Sequence, residues 1–173
     1  LTQHMPHLPS VLVLGCGSIG ERHLRCFQKA GRVTVAGCDT NPTLRERIAS
    51  TYGVPVFDDY AAALKAQAWD GAVICGPANL HTRCAMDALA AGAGVLIEKP
   101  LAISMDGVDT LIEAAARSGR YCAVAYVFHV MPWMQAARDF LLSGELGRPL
   151  HLALTAGQHL PTFPPAYREI YYT

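Results

Sequence analysis

Short apolar runs alternate with longer amphipathic stretches along most of the chain, and the two periods predict strands and helices in turn. The apolar runs predict strands at 11–14, 33–38, 54–57, 72–75, 95–98 and 122–127. The stretches between and after them predict helices at 18–30, 42–52, 59–66, 80–91, 104–118 and 132–143. Near-continuous Val, Leu and Ile suit parallel strands that helices cover on both faces. Strand and helix repeating at this spacing predict an α/β fold, a doubly wound parallel sheet.

Local punctuation agrees with that reading. Gly31, Gly53, Gly92, Gly119 and Gly144 each follow a helical stretch, where a glycine can take the left-handed conformation that closes a helix. Pro42 falls at a helix start, where a missing N–H costs little. The run 150–156 predicts a further strand, whereas 158–172 is rich in Pro and Tyr and follows neither period. The expected organisation is a disordered lead-in over 1–9 and a first domain over 10–130. Residues 131–173 then begin a second α/β domain that stops without a cap, as an interrupted chain would.

Composition narrows the function classes. Fourteen basic and fourteen acidic side chains give no net charge, which removes the electrostatic case for nucleic acid or an anionic membrane. No apolar stretch approaches the roughly 20 residues of a membrane span, and residues 1–10 do not read as a signal peptide. Six cysteines, none at C-x-x-C spacing and several inside apolar runs, predict reduced thiols in a cytoplasmic protein and no metal site.

The first strand runs into Gly15-Cys16-Gly17-Ser18-Ile19-Gly20, a G-x-G-x-x-G run that opens a helix. In that context the run predicts a Rossmann dinucleotide-binding turn. Gly15 permits the tight turn, Gly17 lets backbone approach a pyrophosphate, and Gly20 lets helix and strand pack closely. The N–H groups of the first helical turn, Ser18 and Ile19 included, face the phosphates, and the helix dipole adds about 0.3–1 kcal/mol of attraction. Asp39 follows the second strand, where an acidic side chain accepts from ribose hydroxyls and repels a 2′-phosphate. NAD is therefore expected over NADP, although Thr40, Asn41 and Arg45 leave a grip on a 2′-phosphate open. The competing reading of Asp39 is a solvated turn residue before Pro42.

Two more turns close later strands: Gly76-Pro77-Ala78-Asn79-Leu80-His81 after the fourth, and Glu98-Lys99-Pro100 after the fifth. Ligands of open parallel sheets bind outside the carboxyl ends of strands, so both turns are expected at the same crevice as the glycine run. A lysine there can hydrogen-bond a substrate hydroxyl and tune a proton transfer.

Together these residues make the chain resemble the Gfo/Idh/MocA oxidoreductases, the glucose–fructose oxidoreductase and inositol 2-dehydrogenase family. The matching elements are the glycine run with Glu21-Arg22-His23, Pro77 with His81, Ala90-Ala91-Gly92, Glu98-Lys99-Pro100-Leu101-Ala102, Val124-Ala125-Tyr126 and Gly144-Glu145-Leu146-Gly147-Arg148-Pro149. The resemblance implies NAD(P)-dependent hydride transfer at a carbon bearing a hydroxyl, on a sugar, cyclitol or polyol. It implies that Lys99 contacts substrate and cofactor near the reacting carbon, that Glu98 and Pro100 shape the nicotinamide side, and that Pro77, Asn79 and His81 line the cofactor cleft. It also implies homo-oligomers for the full-length family. His23 reads as packing on the first helix.

The chain departs from the family in two ways. The Asp-x-x-x-His element that carries the family's acid/base histidine is missing, and neither His151 nor His159 stands in that frame. His129 occupies a position where many relatives have arginine. A non-catalytic dinucleotide-binding module, a sensor or scaffold, is the competing function, and a Rossmann methyltransferase is disfavoured by Glu98-Lys99-Pro100.

Overall fold

A computed structural model of the chain describes residues 8–155 and 157. Six strands form one sheet: β1 (Ser10–Leu14), β2 (Thr34–Cys38), β3 (Val56–Phe57), β4 (Gly71–Ile74), β5 (Gly94–Ile97) and β6 (Cys122–Val124). They lie in the order β3-β2-β1-β4-β5-β6, and every pairing is parallel. This order is that of a Rossmann fold, and the sheet is the doubly wound parallel one expected from the sequence. The winding reverses between β1 and β4, and the reversal opens a crevice at the carboxyl ends of those strands.

The helices are α1 (Ser18–Ala30), α2 (Pro42–Tyr52), α3 (Tyr60–Ala66), α4 (His81–Ala90), α5 (Val108–Ser118) and α6 (Pro132–Leu142). Alternate strand residues serve opposite faces. Val11, Val13, Val35 and Val73 pack with Leu24 of α1 and Ile48 of α2. Leu12, Leu14, Ile74, Val95 and Ile97 pack with residues of α3, α4 and α5, among them Leu64, Leu89 and Leu111. Burying each such side chain contributes about 1.5–3 kcal/mol, so both faces of the sheet are needed to hold it. Described residues up to Val127 make one compact unit and those from Phe128 onward a second. In the second, Phe128 and Trp133 meet edge to face at 6.2 Å.

Several boundaries differ from the sequence expectation. The helix expected over 104–118 begins only at Val108, because Gly107 sits at φ +76° and Ser104 turns onto the Asp106 N–H at 3.2 Å. The strand expected over 122–127 ends at Val124, after which Val127–Val130 forms a 3₁₀ turn. The helix expected from residue 80 begins at His81, preceded by a 3₁₀ turn over Ala78–Leu80. The strand expected over 150–156 is not formed at 150–155: no described segment pairs with it, and Leu150, Leu152 and Leu154 are exposed. An apolar alternation cannot supply the neighbour that a strand's N–H and C=O groups require. Residues 1–7 of the expected lead-in, and His159 with the Pro- and Tyr-rich run 158–172, lie outside the described residues. All five glycines expected after helices that lie at 31, 53, 92, 119 and 144 have positive φ.

Candidate functional site

The turn after β1 is built by close backbone contact. Gly15, at φ +94°, lies against the turn after β4, so a Cβ there would stand 2.7 Å from the Cys75 carbonyl carbon and the Gly76 nitrogen. A Cβ at Gly20 would collide with the Gly15 carbonyl oxygen. Gly17 differs: its φ of −62° is ordinary, and a Cβ there would meet nothing within 4 Å. Two glycines of the run are therefore required by packing, and the third faces open space. Gly17 is also the N-cap of α1 and no side chain caps that helix start. Ser18 and Ile19 form its first turn. A pyrophosphate suits such a place, since the N–H groups of a first helical turn and the helix dipole favour an anion, and the space beside Gly17 is open for 4 Å around its Cβ position.

Asp39 lies beside this turn, just beyond β2. Its Oδ2 accepts from the Cys16 N–H at 2.7 Å and its Oδ1 from the Asn41 N–H at 2.8 Å. The carboxylate is thus held in one orientation while its remaining lone pairs stay available for ribose hydroxyls. Arg45 donates from Nη1 to the carbonyls of Asp39 at 3.0 Å and Thr40 at 2.8 Å. Asn41 caps α2, accepting from the Thr43 N–H at 3.0 Å. The turn chemistry and the carboxylate position coexist in the same residues.

The other two turns occupy the same carboxyl edge. Pro77 and Asn79 are exposed in the turn after β4, and Lys99 and Pro100 are exposed after β5. Glu98 is only 8% exposed, and its N–H donates to the Ile74 carbonyl at 2.9 Å, which ties the turn to β4. His81 is 2% exposed, with Nδ1 2.8 Å from the Pro100 oxygen and Nε2 2.9 Å from the Gly76 oxygen. Its ring therefore lies between two backbone turns.

One contact was missed by the sequence reading. His23, assigned to packing, does stack on Phe27 at 6.4 Å, yet its Nε2 also lies 2.9 Å from Glu98 Oε1. Glu98 Oε2 accepts from the Lys99 N–H at 3.1 Å, so both carboxylate oxygens are engaged. Burial works to raise the Glu98 pKa, but the His23 bond, the Lys99 N–H and the nearby positive charges outweigh it and the pKa is lowered. The available signal was spacing: His23 stands three residues after Gly20, on the helix face that leads to the cleft.

The glycine turn also encloses thiols. Burial, then the Asp39 charge, pushes Cys16 up to about 11, and burial with the Cys16 and Asp39 charges pushes Cys38 up to about 12. Cys75 is raised as well, chiefly by burial. Among the described residues no group of His, Cys, Asp or Glu could hold a metal ion, and no helix is long and apolar enough to cross a membrane.

Comparison with known proteins places these features in a family context. The pattern of the GFO_IDH_MocA family, oxidoreductases with an NAD-binding Rossmann fold, matches residues 10–126. The inositol 2-dehydrogenase of Streptomyces avermitilis is 34% identical over 155 residues, which cover 87% of this chain and 45% of that protein. An NAD binding oxidoreductase from Klebsiella pneumoniae superposes with a TM-score of 0.74 at 27% identity, over 82% of this chain and 40% of that one. The WlbA dehydrogenase from Bordetella pertussis, solved with NADH and UDP-GlcNAcA, gives a TM-score of 0.76 at 24% identity, a likeness of fold alone. That match covers 82% of this chain and 44% of WlbA. This chain spans a little under half the length of these relatives.

Proposed function

This chain belongs to the Gfo/Idh/MocA oxidoreductase family, and from that membership we propose that it forms the nucleotide-binding part of an NAD-dependent dehydrogenase. Its substrate class is a sugar, cyclitol or other polyol, oxidised at a carbon that bears a hydroxyl. Residues 10–130 make the dinucleotide-binding domain and 131–173 the beginning of a substrate and oligomerisation domain. The zero net charge argues against a nucleic-acid partner. Six free cysteines, four of them buried, suit a reducing cytoplasm.

The observation that carries the reading is the meeting of three turns at one edge of a parallel sheet. Gly15, Gly17, Ser18, Ile19 and Gly20 cradle the pyrophosphate, Asp39 takes the adenosine ribose, and Pro77 with Asn79 borders the cleft. NAD, when bound, accepts the hydride. The fixed negative charge of Asp39, with Arg45 committed to two carbonyls, favours NAD over NADP. Lys99 is the group assigned to the reacting carbon. Its ammonium donates to the substrate oxygen and stabilises the negative charge that grows there as the hydroxyl proton leaves. None of the seven histidines stands in an Asp-x-x-x-His frame, so no residue of this chain is assigned as the base that removes that proton.

Calorimetric titration of the 173-residue chain with NAD and NADP tests the reading, with Lys99→Met as comparison. Saturable binding that is tighter for NAD, and little affected by the substitution, is expected. Neither heat nor a thermal shift at millimolar dinucleotide would overturn it.

A further inference from the structure

His81 sits at the start of α4, yet its ring serves neither as a helix cap nor as part of the open cleft. It is almost fully buried, and its two nitrogens point at the carbonyls of two different turns: Pro100 after β5 and Gly76 after β4. The Gly76 turn is itself packed against Gly15, whose Cβ position would stand 2.7 Å from the Gly76 nitrogen. A continuous path of hard contacts therefore runs from the glycine turn through Gly76 and the His81 ring to Pro100. Lys99 is the residue next to the end of that path. On its other side Lys99 follows Glu98, which His23 holds at 2.9 Å.

We propose that His81 is a positioning residue for Lys99: its imidazole, wedged between the Gly76 and Pro100 carbonyls and donating its N–H to one of them, fixes the turn that presents Lys99 relative to the turn that receives the pyrophosphate. The inference rests on the reading of Lys99 as the group beside the reacting carbon. The rigid ring sets its two nitrogens 2.8 Å and 2.9 Å from the two carbonyl oxygens at once, with one N–H to donate, and the flexible chain of a Gln amide fixes no such spacing. Rigid support of this kind matters because a displacement of about 1 Å at a reacting group costs on the order of a hundredfold in rate.

The chain has three lysines, Lys29, Lys65 and Lys99, so reductive ¹³C-methylation gives a simple NMR spectrum in which Lys99→Arg assigns the signal of interest. In the protein without NAD, His81→Gln is expected to move the Lys99 signal toward that of a dimethyl-lysine in a flexible peptide. Lys29 and Lys65 should keep their positions and so report that the fold is intact. A Lys99 signal unmoved by His81→Gln would overturn the inference. If all three signals collapse because the variant does not fold, the unsubstituted chain decides. Nuclear Overhauser contacts from the His81 ring to both the Gly76–Pro77 and Pro100–Leu101 turns are then expected, and contact with only one turn would overturn the clamp. Adding NAD to the unsubstituted chain tests the functional reading separately. No response at Lys99 would count against its catalytic assignment, while the NAD-free comparison still decides the role of His81.

Discussion

His23 Nε2 lies 2.9 Å from Glu98 Oε1, which joins the first helix to the turn that follows the fifth strand. The two residues are 75 positions apart, and the bond is partly buried. Removing the imidazole by His23→Ala leaves a buried carboxylate short of one partner. The expected cost is about 1–3 kcal/mol in urea unfolding at pH 7. Unchanged stability would show that water replaces the histidine without loss.

The same pair sets a pH dependence. The folded Glu98 pKa is lowered, against the opposing effect of burial, by the His23 bond, the Lys99 N–H and nearby positive charge. A carboxylate with a depressed folded pKa contributes stability that is present above its unfolded value and lost as pH falls through the folded one. Acid unfolding of the unsubstituted chain should therefore lose this contribution below the ordinary glutamate range, and Glu98→Gln should flatten that limb. Superimposable acid limbs for the two proteins would contradict the assignment.

The glycine turn separates binding from folding. Gly17→Ala meets open space at an ordinary φ but puts alanine at the N-cap of α1, so the two effects oppose and stability should change by less than about 1 kcal/mol in either direction, while NAD affinity falls. Gly20→Ala drives a methyl group into the Gly15 carbonyl, which should cost about 1–3 kcal/mol or more. Melting curves and NAD titrations of both variants check the contrast; a Gly17→Ala protein that binds NAD normally would place the phosphates elsewhere.

Substituting Asp39 should change the choice of dinucleotide. Asp39→Ser removes the charge and weakens both backbone bonds it accepts, and a hydrogen bond to a charged group is worth about 1.5–3 kcal/mol. NAD affinity should fall about tenfold or more, and the NAD to NADP preference should narrow. An unaltered preference in paired titrations would remove Asp39 from the ribose site.

Buried thiols should be inert in the folded protein. With Cys16 near 11 and Cys38 near 12, alkylation at pH 8 finds almost no thiolate there, whereas Cys26 is exposed. Mass spectrometry after brief iodoacetamide treatment should show Cys26 modified first. Early labelling of Cys16 would mean that the glycine turn opens readily.

What could be read from the sequence was whatever depends on local pattern. The double-sided burial of β1 follows from Val11 to Leu14, the helix ends from glycines, and the tight turn between β1 and α1 from glycines at fixed spacing. Contacts set by tertiary approach were hidden. Nothing in the vicinity of His23 announces Glu98, and nothing near His81 shows that its ring would be enclosed between two carbonyls. The apolar run at 150–155 failed for the related reason that pairing depends on a partner. Gly107 was overlooked because a glycine inside a helical pattern looks tolerable until its φ is seen to be positive.

The strand order also bears on how the chain assembles during synthesis. β1 pairs at once with β2, but its other neighbour, β4, is sixty residues further along. A nascent chain that has emerged only as far as β3 leaves one edge of its central strand unfilled, with backbone groups and Leu12 and Leu14 exposed to the surroundings. Completion waits for a distant segment, and parallel pairings of that kind are slow. The crevice between β1 and β4 is therefore among the last features to close, and a ligand that spans it would be a late arrival that rewards a finished sheet.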